Sequence, residues 1–184
     1  MHDGAIMQRE ILKFWFEDID PASWWSARPE FDALVRERYG GVLERAARGE
    51  CFAWREDALG RLAEIIVLDQ FSRNIHRGTP AAFAQDAMAL ALAQEAVARG
   101  CHLALDPVRR GFLFLPFMHS ESRLIHDTAE VLYSEFGEAR NLDFERRHKA
   151  IIARFGRYPH RNAILGRAST AEEIAFLSQP GSRF

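Results

Sequence analysis

Lysine is almost missing from this chain. Of its 24 basic residues only Lys13 and Lys149 are lysines, so arginine carries nearly all the positive charge. The planar arginine fork suits bidentate binding of carboxylate or phosphate. Cysteine is scarce as well. Cys51 and Cys101 stand outside any CxxC pair or metal-like cluster, which argues against a disulfide framework and a structural zinc site. Long apolar runs are absent, and the longest, residues 112–118, is far too short to span a bilayer. Gln8, Arg9, Glu10 and Lys13 interrupt the N-terminal apolar positions. That is not the pattern of an export signal, and a cytoplasmic location is the expectation. Excess charge of either sign is lacking too. The net charge is −2, so no basic field points to nucleic acid or an anionic membrane. P-loop, GxGxxG, GxSxG and HExxH motifs are all missing, and no cofactor is implied.

Helical periodicity is what the chain does have, with no strand or hairpin pattern. It predicts an all-α, antiparallel helical array of about eight helices over residues 1–184 as a single domain. Expected helices run over about residues 4–17, 29–48, 56–72, 119–136 and 141–155. The Gly40-Gly41 pair is expected to bend or interrupt the second. Thr79-Pro80 and Asp106-Pro107 read as N-cap and first helical position of two more. Gly100, Gly137 and Gly156 read as stops, and Pro116 as a kink or break. Thr170 with Glu173 forms a capping box for a short last helix.

Three of these helices carry a titratable side chain amid apolar residues. Asp69 and Arg73 share a stripe with Leu62, Ile65 and Ile66. Being four apart, they can pair on their own helix. Either they form an internal salt bridge, or Asp69 orients Arg73 toward an anionic ligand, with Asn74 and His76 at the rim. Glu121 lines up with Leu124, Ile125, Thr128 and Leu132, opposite a polar face of His119, Arg123, His126 and Glu130. A buried Glu121 either pairs with an arginine or stays protonated for acid–base work. His119 and Ser120 are placed near a helix N-terminus, where N–H groups favour anions. His119 and Glu121 with His126 invite a metal reading, but Glu121 projects away from both histidines, so no metal is expected. His148 falls between Phe144, Ile151 and Phe155 as a core histidine. A loop after Gly156 then presents Arg157, Tyr158, His160, Arg161 and Asn162.

Taken together, these segments resemble the bacterial family DUF924. The resemblance rests on Phe14-Trp15-Phe16, Leu68-Asp69-Gln70-Phe71, Arg73-Asn74-Ile75, Arg77-Gly78-Thr79 and residues 115–121. It extends to residues 154–157, Pro159-His160-Arg161-Asn162 and residues 164–167, with Ser72 departing from the family pattern. It implies a tetratricopeptide-like superhelix and no activity, and fold alone does not give function.

The leading expectation is an interhelical pocket for a small anionic phosphate or carboxylate ligand. Asp69, Arg73, Asn74, Arg157, Arg161 and Asn162 would bind, and Glu121, His119 or His160 would move any proton. No nucleophile is identifiable, and the sequence leaves catalysis and oligomeric state open. The rival is a peptide-interaction module, with Trp24, Trp25, Phe71 and Tyr158 as anchors and the arginines meeting an acidic motif. A third reading is that the buried ions only specify packing.

Overall fold

A computed structural model describes residues 2–182. Its regular structure is all-α, with no strand among the described residues. The organising element is one continuous helical rod. Helix α3 (Ala58–Ile66) is held at its start by the Asp57 carboxylate, which accepts from the Gly60 N–H at 2.8 Å. It runs directly into a π-helical turn (Val67–Phe71) and then α4 (Ser72–Ile75). Every residue from 60 to 72 is buried. A helix covered on all sides belongs at the centre of a core, and four helices surround it. These are α1 (His2–Lys13), α2 (Pro29–Ala47), α5 (Asp86–Ala98) and α6 (Pro107–Met118). Phe14, Trp15, Phe31, Tyr39, Phe71 and Phe112 interlock their rings in this core.

Helix α7 (Arg123–Phe136) packs on α6, and α8 (Ala139–Phe155) packs on α7. Their connections are short, so each pair runs antiparallel. Tyr133 Oη near the end of α7 donates to the Gly111 carbonyl near the start of α6 at 3.3 Å. Arg123 Nη2 at the start of α7 donates to Ala153 near the end of α8 at 2.7 Å. Gly156 ends α8 in the left-handed region (φ 68°), a conformation glycine adopts without strain. A 3-10 turn (Pro159–Arg161) and α9 (Ala171–Leu177) follow, and the Thr170–Glu173 capping box is formed. Ile151, Ile152 and Tyr158 make a second, smaller apolar cluster.

Several local expectations are corrected. Gly40 and Gly41 do not interrupt α2, because burial of Phe31, Val35, Tyr39 and Val42 on one face outweighs their poor propensity. Thr79-Pro80 starts only a 3-10 turn (Pro80–Phe83); the Thr79 hydroxyl donates back to His76, and the alanine-rich helix begins at Asp86. Helix α6 runs through Pro116 and ends at Met118, so the imino ring removes one N–H bond in the last turn without a break. The following helix starts at Arg123, and His119 is the C-cap of α6 rather than part of a helix N-terminus.

Candidate functional site

The buried ions of the central rod meet the end of α6, the start of α5 and the C-terminal loop. Asp69 sits in the π-helical turn, a distortion often found at functional sites. Its carboxylate pairs with Arg73 Nη1 at 3.1 Å and with His119 Nδ1 at 2.8 Å, and Gln70 Nε2 donates to it at 2.5 Å. Arg73 Nη1 also donates to the Asp69 carbonyl at 2.7 Å. The same guanidinium reaches Asp86, the first residue of α5, at 2.9 and 3.1 Å. Arg161 Nη1 donates to Asp86 at 3.1 Å and Nη2 to the His119 carbonyl at 3.0 Å. Two rings contact Arg161, whose guanidinium carbon lies 4.6 Å from the centroids of both Phe83 and Tyr158.

Electrostatics follow from this geometry. Burial pushes the Asp69 carboxyl up, but Arg73 and His119 outweigh it and hold the group well below the usual carboxylate range. Burial and Arg73 push the His119 imidazole down against the pull of Asp69, so the ring is neutral near pH 7. With Nδ1 donating to Asp69, the lone pair lies on Nε2. No hydrogen-bond partner occupies that nitrogen among the described residues, and the side chain is 16% exposed. His160 is lowered to about 4 by burial and the neighbouring Arg161, and His148 to about 3 by burial.

Tyr158 ties this cluster to a second one. Its hydroxyl donates to the Met118 carbonyl at 2.5 Å and meets His126 Nε2 at 3.2 Å, while its ring supports Arg161. Glu121 lies in the loop between α6 and α7, not on a helix face, and Leu124 on the expected face is 72% exposed. The Glu121 carboxylate accepts from the Tyr158 N–H at 2.7 Å and from both Arg167 Nη atoms at 2.7 and 2.9 Å. Burial raises its pKa, but Arg167 and the Tyr158 N–H hold it below the ordinary range. Of its two sequence options, pairing with an arginine is realised. Glu121 therefore acts on the cluster by fixing Tyr158.

The fold brings together Asp69, Arg73, His119 and Arg161, with His160 beside them. It disperses others. Asn74 is buried rather than at the rim, and donates to Asp32 at 2.9 Å beside a bidentate Arg77–Asp32 pair. Arg157 clamps Glu173 at the start of α9, and Asn162 bonds Ser169 and Arg167. Phe71 and Tyr158 are fully buried, so neither is open to a peptide as an anchor; Trp25 is 63% exposed. Sequence reasoning missed Asp86, Phe83 and Arg167. It also placed His126 on a solvated face, whereas His126 is fully buried and pairs with the buried Glu145 at 2.7 Å. His126, Ala129 and Tyr133 at helical spacing were the available signal. Two open depressions, of about 330 and 280 Å³, lie elsewhere, one between α7 and α8 and one beside Leu12 and Arg109. Among the described residues, no group of three or more His, Cys, Asp or Glu is arranged to hold a metal ion. No described helix is long and apolar enough to cross a membrane.

A family model described as "Bacterial protein of unknown function (DUF924)" matches residues 11–181. The chain is also similar to a solved structure from Agrobacterium tumefaciens, the protein of unknown function ATU0120. The two share 37% identity over 95% of this chain and 98% of that one, with a TM-score of 0.90. No curated protein matches.

Proposed function

The chain belongs to the DUF924 family, and we propose that it binds a small anionic ligand at Arg73 and Arg161, with His119 as the proton acceptor. The observation that carries this reading is the Asp69–His119 pair beside two guanidinium groups from distant parts of the chain. Asp69 fixes the imidazole tautomer and would stabilise the imidazolium formed when Nε2 takes a proton, the role an orienting carboxylate plays in acid–base sites. Arg73 and Arg161 supply donors for the anion, and the Phe83 and Tyr158 rings hold the Arg161 guanidinium in place. Burial keeps His119 neutral and therefore basic in form. The burial of Phe71 and Tyr158 removes two of the four anchors a peptide module needs, so the small-anion reading is preferred.

Side-chain NMR tests it. Titrating the protein with acetate, succinate and inorganic phosphate should shift the Arg73 and Arg161 Nε–H signals and the His119 ring nitrogens in a saturable way. Arg161→Ala should abolish the response while leaving the helical circular dichroism intact. A panel that moves none of these signals, or moves those of Arg73 and His119 equally in Arg161→Ala, would reject the reading.

A further inference from the structure

We propose that Asp86 is the built-in occupant of a carboxylate seat, and that the ligand is a carboxylate that takes its place between Arg73 and Arg161. This rests on the reading of those arginines as an anion site. The Asp86 carboxylate already shows what the seat accepts. Oδ1 lies 2.9 Å from Arg73 Nη1, and Oδ2 lies 3.1 Å from both Arg73 Nη2 and Arg161 Nη1. Oδ2 thus accepts one hydrogen bond from each arginine, and Oδ1 stands at ion-pair distance from Arg73 with no hydrogen bond of its own. Two guanidinium groups converge on one carboxylate head, as arginines do when they recognise carboxylate.

The walls of the seat do not depend on Asp86. Arg161 is fixed by the His119 carbonyl and by the Phe83 and Tyr158 rings, and Arg73 is fixed by Asp69. Asp86 itself is 20% exposed and stands at the first residue of α5, with Oδ1 closed to solvent, so its side chain must turn out of the seat for the ligand to enter. His119 shares Asp69 with Arg73 and gives its carbonyl to Arg161. A ligand carboxylate on these two guanidinium groups therefore lies next to the proposed proton acceptor. An internal carboxylate competes with every external one, so the apparent affinity of the wild type is reduced by the fraction of molecules in which Asp86 is seated. Such a seat favours ligands that make contacts beyond the carboxylate.

The test compares acetate and inorganic phosphate on wild type, Asp86→Ala and Asp86→Ala/Arg161→Ala by calorimetry and guanidinium NMR. Acetate should bind Asp86→Ala at least about tenfold tighter than wild type, because the competitor is gone. The double variant should lose that binding. Should Asp86→Ala fail to fold, Asp86→Asn, equal in size and uncharged, carries the same comparison. No increase in a folded variant, or a larger increase for phosphate than for acetate, overturns the proposal. If acetate binds wild type and Asp86→Ala equally and the double variant loses it, the anion site stands and the Asp86 inference falls. If no variant binds either anion, both fall.

Discussion

Arg161 has one long side chain doing two separate jobs, and each is specific to a guanidinium. It rests against the rings of Phe83 and Tyr158, and it spreads two hydrogen bonds over Asp86 and the His119 carbonyl. A lysine keeps the charge but has neither the flat face nor the fork. Arg161→Lys should therefore lower the unfolding free energy by about 2–5 kcal/mol, the sum of a cation–π contact of about 0.5–2 kcal/mol and one charged hydrogen bond of about 1.5–3 kcal/mol. Urea denaturation with an unchanged m-value checks this, and a variant as stable as wild type would show that the ring contacts contribute nothing. Asp69 poses the opposite problem, a buried anion shared by a cation and an imidazole. Asp69→Asn leaves Arg73 with Asp86 as its ionic partner, and breaking a buried pair costs about 3–5 kcal/mol. It should also release the His119 tautomer, so that ring nitrogen shifts show both neutral forms. Retention of a single tautomer in Asp69→Asn would mean that Asp69 does not orient the ring.

At the scale of elements, the central rod places Asp69 and Arg73, and its own position depends on close backbone approach at Gly60. A Cβ built there would lie 2.0 Å from the Trp54 carbonyl oxygen, in the 3-10 turn Phe52–Glu56. Backbone cannot swing aside as a side chain can, so Gly60→Ala should cost about 1–3 kcal/mol or more as an overpacked contact. A thermal melt equal to wild type would show that the turn moves freely. The elements differ in how legible they are. The Asp69–Arg73 pair and the Thr170–Glu173 box depend on residues within one turn, and both are formed as their spacing predicts. Asp86 and Arg161 are 75 residues apart, and only packing of α5 against the rod and of the C-terminal loop against α6 joins them. No local pattern encodes that meeting. The face of α7 was misread for a different reason. Leu124 pulls the apolar stripe one way by hydropathy, yet the buried stripe follows His126, Ala129, Leu132 and Tyr133, because a histidine paired with Glu145 is a core residue.

Across the whole molecule, the candidate site lies at a seam. The main core supplies Asp69, Arg73 and His119, and the smaller C-terminal cluster supplies Tyr158 and its neighbours. The seam is lined by histidines held neutral by burial, and this gives stability a defined pH dependence. In the unfolded chain a histidine takes its proton near 6.5, whereas His160 and His148 in the fold do so only at about 4 and about 3. His119 is shifted in the same direction. Below 6.5 the unfolded chain therefore binds more protons, so stability is full above that value and is lost as the pH falls toward the folded values. Glu145 works in the other sense, since burial raises its carboxyl against the pull of His126, but it is one group against four, because burial also lowers His102 outside the seam. Asp32 and Glu121, both lowered, add to the loss only once the pH drops below the unfolded carboxylate values near 4. The unfolding free energy should thus fall by several kcal/mol between pH 6.5 and 4, about 3 kcal/mol from each of His160 and His148 less the opposing effect of Glu145, before most carboxylates titrate. Urea midpoints at pH 7, 5.5 and 4.5 measure this, and His148→Gln should flatten the slope because it removes one titrating ring. A flat wild-type profile down to pH 4.5, or a slope that His148→Gln leaves unchanged, would mean that the seam admits protons and water, and that His119 is not sheltered there as a neutral base.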